Sequence, residues 1–257
     1  PLYRDKMFLI KIPEADSTNR QILEFAAERE APFALMAYTQ TAGRGQRGNK
    51  WEAEPGRNIT LSVLFHPRTV KASEQFIISQ AVSVAIAETL RHYMPQYSSS
   101  VAIKWPNDIY VGNSKICGIL IENVINGTEI VRSIAGIGLN VNQSVFLSDA
   151  PNPVSMRQLT GKEYDIDVLA QYLCNVIERF AKAFFIPNHY PRLRGRYFSM
   201  LWRAQGYHSY LETASGEKFQ GMISNIDASG YITLTDDNGR QRRYAFKEVE
   251  AVNIDEP

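Results

Sequence analysis

Four short stretches of the chain gather groups able to do chemistry. The first, Gly43-Arg44-Gly45-Gln46-Arg47-Gly48-Asn49-Lys50-Trp51, sets three glycines among three cations and ends on an indole. Backbone N–H groups and guanidinium forks of this kind suit a phosphate or a carboxylate, and an indole can stack on an adenine. The same composition also suits a solvated basic hairpin tip. GxGxxG is spelled here, but a dinucleotide-binding turn needs its third glycine in a helix, and 49–57 has no helical period. The second and third stretches, Lys104-Trp105-Pro106-Asn107-Asp108 and Lys115-Ile116-Cys117-Gly118, put two lysines and an aspartate at the border of apolar segments. Pro106-Asn107-Asp108 alone spells a turn. Lys115 opens a nearly continuous apolar run, so its ammonium lies at the rim of a buried surface. In the fourth, Ala135-Gly136-Ile137-Gly138-Leu139-Asn140, glycines interrupt a strand. They mark either the close approach of a ligand or another backbone, or a bulge.

Local patterns place these groups on elements. Strands are expected at 7–12 and 34–39, with Thr18-Asn19-Arg20-Gln21 spelling a capping box for a helix whose apolar face is Ile22, Phe25 and Ala26. The glycine-rich loop follows, then an alternating strand at 58–65 and a helix at 74–94 with a broad apolar side. Strands at 101–104 and 109–111 flank the Pro106 turn. Those at 116–125 and 129–141 pair around Asn126-Gly127, a strong hairpin signal. A connection over 143–153 leads to an amphipathic helix at 165–184, acidic at its start and basic near its end. Beyond Gly206, short strands at 208–213, 218–226, 231–235 and 241–246 alternate with Gly-containing turns, as in a small antiparallel barrel.

Twenty-eight Lys and Arg against 27 Asp and Glu leave a net charge of +1, too small a field to single out nucleic acid or an anionic membrane as partner. Any anion site is therefore local. Cys117 and Cys174 sit in apolar runs without metal-ligand or CxxC spacing, which favours reduced thiols, and Cys117 reads as a packing residue rather than a nucleophile. His66, His92, His189 and His208 show no zinc spacing, and GxSxG is absent. No apolar run approaches the ~20 residues of a membrane span and the first residues lack a signal peptide's apolar core, so a cytoplasmic protein is expected.

With Asp16-Ser17-Thr18-Asn19 and Gln40 added, these stretches resemble the catalytic domain of biotin protein ligases. The Ser-Thr-Asn turn, GRGxRG loop, KWPND turn, K-x-x-G strand and GxGxN strand of that family occur in the same order over about residues 16–142. The resemblance implies an α+β fold, with a mixed-sheet, class II synthetase-like catalytic domain with flanking helices over 1–205 and a small C-terminal SH3-like β-barrel over 206–257. It also implies an ATP-dependent enzyme that activates biotin to biotinyl-5'-AMP and passes it to a lysine of a biotin carboxyl carrier protein domain. Biotin would be held by Ser17, Thr18, Asn19, Gln40, Gly43, Arg44, Gly45, Gln46, Lys115, Gly118, Gly136 and Gly138. Arg47, Trp51, Lys104, Asn107 and Asn140 would contact ATP, with Mg2+ entering mainly on its phosphates. Lys115 is the first choice as catalytic residue, joined by Arg44 and by Asp108, which would orient Lys104 or the incoming amine. Gln46 stands where an arginine can occur in the family, removing one cationic contact to the intermediate. The Ser-Thr-Asn turn begins at residue 17, so neither a preceding winged helix nor specific DNA binding is expected. Sheet edges permit a homodimer. The rival readings are lipoate or octanoate attachment, against which GRGxRG and KWPND argue, and a non-catalytic nucleic-acid module built on the basic loop, Tyr207, Tyr210 and Tyr231, against which the near-neutral charge argues.

Overall fold

The computed structural model describes residues 6–27, 31–148 and 152–252, apart from the side chain of Arg47. In chain order the elements are β1 (Phe8–Ala15), α1 (Thr18–Gln21), β2 (Phe33–Gln40), β3 (Ile59–Phe65), α2 (Phe76–Tyr93), β4 (Val101–Lys104), β5 (Asp108–Val111), β6 (Ser114–Asn126) and β7 (Glu129–Leu139). They continue with α3 (Met156–Thr160), α4 (Ile166–Phe184), α5 (Tyr190–Ser199), β8 (His208–Glu212), β9 (Lys218–Ile226), β10 (Ile232–Asp236), β11 (Gln241–Tyr244) and β12 (Val249–Ala251).

The first seven strands form one sheet in the order β1-β2-β3-β7-β6-β5-β4. β1 runs parallel to β2 and the other pairs are antiparallel, so the sheet is mixed. Its centre is the β6–β7 hairpin, whose Ile- and Val-rich strands turn at Asn126-Gly127 with Gly127 at φ 60°, a conformation that favours glycine. One face packs on α2: Ile59, Leu61, Val63, Ala135, Ile137 and Leu139 share a core with Ile77, Ala81, Val84 and Ala85. α4 and α5 lie against α2. Asp165 caps α4 by accepting from the Asp167 and Val168 N–H groups, as its position before the apolar stripe leads one to expect. On the other face Ile22, Phe33, Leu35, Leu64 and Ile134 make a smaller cluster.

Three expectations change. The 58–65 pattern is an alternating strand, which ordinarily leaves one side to solvent, yet every residue of β3 is buried, the Thr60 and Ser62 hydroxyls donating to the Ala37 carbonyl and the Asn19 amide oxygen. The helix at residue 18 is one α-turn followed by a 3-10 turn over Ile22–Phe25. Its N-cap is Ser17, without a side-chain cap, since the Thr18 hydroxyl is committed to Gln40. α3, α5 and β12 were not anticipated, although Ser155 and Gln158 form a full capping box legible as S-x-x-Q.

The remaining strands make a five-stranded antiparallel sheet, β11-β10-β9-β8-β12. Tyr210, Phe219, Ile232, Leu234 and Tyr244 belong to the same hydrophobic cluster as α2, so one core runs through both sheets. At the joint Trp105 Nε1 donates to the Gly230 carbonyl at 2.9 Å and its ring meets Phe246 edge-on at 6.2 Å.

Candidate functional site

A cavity of about 520 Å³ opens on the sheet face away from α2. Its floor follows from the strand register. Gly118 pairs with Gly138 and Leu120 with Gly136, while Ser62 and Thr60 of β3 face Gly136 and Gly138. Each glycine is required by a side chain lying on it. A Cβ at Gly136 would come 2.3 Å from Asn19 Oδ1, at Gly138 2.2 Å from Trp51 Cε2, and at Gly118 2.9 Å from Trp51 Cζ3. Pairing is unbroken there, the only shift along β6–β7 falling at Val124/Ile125, so close approach and not a bulge accounts for these glycines.

One end of the cavity is polar and buried. Ser17, Thr18 and Asn19, in the tight turn after β1, are each less than 5% exposed. The Thr18 N–H and hydroxyl donate to Gln40 Oε1 at 2.8 and 3.1 Å. Ser62 Oγ donates to Asn19 Oδ1 at 2.6 Å and lies 2.8 Å from Thr18 Oγ1. Asn19 Nδ2 donates to Glu122 Oε2 at 2.7 Å. The Asn19 amide is thereby oriented by partners on β3 and β6, a network that presents fixed donors and acceptors to a flat polar group.

The other end is cationic. Lys115 and Gly118 are three residues apart and would face opposite sides of a regular strand. A bulge intervenes: Ile109 pairs with Cys117 but Tyr110 with Lys115, leaving Ile116 as the extra residue, and both Lys115 and Gly118 line the cavity. Lys115 Nζ pairs with Asp108 Oδ1 at 2.8 Å and stands 5.6 Å from the centre of the Trp51 ring. Asp108 therefore orients Lys115, not Lys104. Lys104 lies outside the cavity lining. Its ammonium donates to the Tyr110 hydroxyl at 3.0 Å and sits over the Tyr110 and Trp202 rings, where burial lowers its pKa.

The glycine-rich segment is a folded hairpin, not an open loop. Gly45 N–H donates to the Asn49 carbonyl at 2.7 Å and Trp51 N–H to that of Gly43 at 3.0 Å. Arg44, Gly45, Gln46 and Trp51 line the cavity, whereas Gly43 faces the neighbouring cleft on the hairpin's other side. The Arg47 side chain lies outside the described residues. Arg44 is paired with Glu122 Oε1 at 2.7 Å. Asn107 lines the cavity but is tied into its turn, its amide donating to the Ile119 carbonyl while Ile119 N–H donates to its own. Asn140 Nδ2 donates to the Val154 carbonyl, leaving Oδ1 buried and unpartnered; Gln46 Oε1 and Trp51 Nε1 are likewise buried without a partner. Unpaired buried polar atoms cost about 1–3 kcal/mol each, so three of them around one cavity point to a ligand.

Sequence reasoning missed several of the groups gathered here. Glu122, Ser62, Phe146, Ser148, Pro153 and Phe246 carried no recognisable spacing, though Glu122 is the one charge within the otherwise apolar 116–125 run. Glu52 fastens the hairpin to the 143–148 segment by accepting from the Leu147 and Ser148 N–H groups. Burial opposes its ionisation, but these bonds with that from Gln143 hold its carboxyl below the usual range. Among the described residues no three His, Cys, Asp or Glu groups converge as a metal cage.

Residues 12–140, just over half of the chain, match the model of the biotin/lipoate A/B protein ligase family. The bifunctional ligase/repressor BirA of Escherichia coli is 33% identical over 130 residues, covering 51% of this chain and 39% of the relative. A biotin--protein ligase of Homo sapiens is 27% identical over 243 residues, 90% of this chain and 32% of the relative. The chain thus spans well under two thirds of these two relatives. A biotin--[acetyl-CoA-carboxylase] ligase of Paracoccus denitrificans is 27% identical over 237 residues, 90% of this chain and 95% of the relative. Among solved structures, a biotin protein ligase from Aquifex aeolicus in complex with biotin and ATP has the same fold, with a TM-score of 0.74 at 23% identity over 95% of this chain and 99% of that one.

Proposed function

Because the chain belongs to the biotin/lipoate A/B protein ligase family, we propose that its cavity is the active site of an ATP-dependent biotin protein ligase. One observation carries this reading. A single cavity is lined by the buried Thr18 and Asn19 and by Gln40, with Ser62 behind Asn19, at one end and by the Lys115 ammonium at the other, separated by a floor of glycines. That is the shape of a molecule with a flat polar head, a slender apolar chain and a terminal carboxylate. The ureido head of biotin meets Asn19 and its neighbours, its chain passes the Trp51 ring that lies on Gly118 and Gly138, and its carboxylate reaches Lys115.

The first step joins two anions. A carboxylate oxygen of biotin attacks the α-phosphorus of ATP, the bond to the bridging oxygen breaks, and pyrophosphate leaves with its electron pair. Lys115 stabilises the charge gathering between carboxylate and phosphate, and Asp108 keeps its ammonium in position. In the second step the neutral amine of the acceptor lysine attacks the acyl carbon, AMP leaves with the bonding electrons, and one proton is released. The hairpin of 43–51 excludes water between the steps. Mg2+ carried on ATP would neutralise the phosphates; the unpartnered Asn140 Oδ1 and the Asp108 carboxylate are among the oxygen donors in the cavity that would suit it.

In the same reading the chain divides near residue 205, the five-stranded sheet is a small SH3-like barrel, the acceptor is a biotin carboxyl carrier domain, and the enzyme works in the cytoplasm, as a homodimer if a sheet edge pairs. Biotin-dependent exchange of pyrophosphate into ATP tests the assignment, with octanoate as competing acid. Exchange with biotin and none with octanoate is expected. Exchange with octanoate alone would replace biotin as substrate, and none with either acid would remove the adenylation step.

A further inference from the structure

Glu122 is absorbed by neither the motifs nor the mechanism, yet its carboxylate divides itself between two parts of the site. It lies on β6 on the same face as Gly118 and Leu120, opposite Ile134 of β7, just past the cavity floor. Oε2 accepts from Asn19 Nδ2 and Oε1 from Arg44 Nη2, each at 2.7 Å. Asn19 sits in the turn after β1 and is locked from its other side by Ser62. Arg44 opens the 43–51 hairpin, whose ends are joined by the Arg44–Lys50 bridge. Arg44 lines both the cavity and the neighbouring cleft, and Glu122 lines the cleft. One side chain thus connects the group that would read the head of the substrate to the segment that would shield its activated form.

We propose that Glu122 is a positioning residue that couples head-group recognition at Asn19 to closure of the 43–51 hairpin through Arg44. The proposal rests on the ligase reading for its substrate, though not for the tether itself. Asn19, Glu122 and Arg44 are already joined without ligand, so a head group that binds the Asn19 amide favours the state in which all three contacts stand and the hairpin lies over the cavity. By linkage, a closed hairpin strengthens head-group binding by the same factor. Without the charge the hairpin opens more often, and water reaches the mixed anhydride: water oxygen attacks the acyl carbon, AMP leaves, and free acid and AMP result where a modified lysine should.

The hairpin carries Arg44, Arg47 and Lys50, so trypsin reports its opening directly. Glu122→Gln retains an oxygen that can accept from Asn19 and removes the partner of Arg44; the pair is about two-fifths exposed, so the fold is expected to survive the change. In the wild-type chain biotin should slow cleavage within 43–51. In the variant, cleavage without biotin should be about fivefold faster and the protection by biotin largely lost. AMP released without acceptor, relative to lysine modified with it, should rise by roughly tenfold. Unchanged cleavage with intact protection overturns the coupling. If the wild-type protein shows no biotin-dependent exchange, the ligase reading fails, and cleavage without ligand decides the tether by itself.

Discussion

The two faces of the seven-stranded sheet are built from the same strands, and the central strand β3 is buried on both, yet the faces spend that burial differently. Towards α2 lie Ile59, Leu61 and Val63, closed against helix side chains with only apolar partners. Away from it lie Thr60 and Ser62, equally inaccessible but each hydrogen-bonded, Thr60 to the Ala37 carbonyl and Ser62 to the Asn19 amide. The first face gains stability from close packing. The second gives up apolar contact to hold polar groups still before a ligand arrives, so its losses should appear in activity before they appear in stability.

The largest expected effect sharpens this contrast. Lys115→Ala should lower the rate of pyrophosphate exchange by ~10²–10³ with little change in the unfolding midpoint, because the ammonium acts where charge develops and supports no core. Leu61→Ala, two strands away and on the opposite face, should do the reverse: about 2–5 kcal/mol lost in urea unfolding, with near-normal turnover per folded molecule. A Leu61 variant that is stable but inactive would break the distinction between the faces. Ser62→Ala stands between them. Freeing the Asn19 amide should cost about 1 kcal/mol in stability and raise the KM for biotin several-fold more than it lowers kcat, read from initial rates.

The smallest effect concerns two neighbours in sequence. Gly118 floors the cavity and Cys117 points into the core, where burial pushes its thiol well above the usual range. A raised thiol pKa means that the folded state favours the neutral form. Its contribution to stability is complete below the unfolded value of ~8.5 and is lost as pH rises beyond it. Urea midpoints between pH 7 and 10 should therefore fall more for the wild-type chain than for Cys117→Ala, and iodoacetamide should modify Cys117 only on unfolding. Rapid labelling of the native protein would place that side chain on the wrong face.

How far the site could be read in advance depended on the distance over which its parts communicate. The order of Ser17-Thr18-Asn19, Gln40, the glycine-rich segment, Lys115 and the paired glycines was plain, and nearly all of these line one cavity. That Lys104 packs on Trp202 was not legible, because Trp202 belongs to a much later segment. Glu122 was not singled out, because its partners are 78 and 103 residues distant. Phe246, which lines the cavity from the five-stranded sheet, reaches it only because the two sheets share a core.

From the residues alone came the elements whose signals are local: the α4 stripe begun by Asp165, the hairpin at Asn126-Gly127, the turn at Pro106, and the types of group able to bind an anion. These depend on dihedral preference and on contacts within a few residues, which the chain states directly. The tertiary structure alone decided which face each group serves. The bulge at Ile109/Tyr110 turns Lys115 to the cavity, the pairing of β3 between β2 and β7 buries Thr60 and Ser62, and the approach of Asn19 and Trp51 explains Gly136 and Gly138. A one-residue change of register moves a side chain across a sheet, and register is set by partners far along the chain.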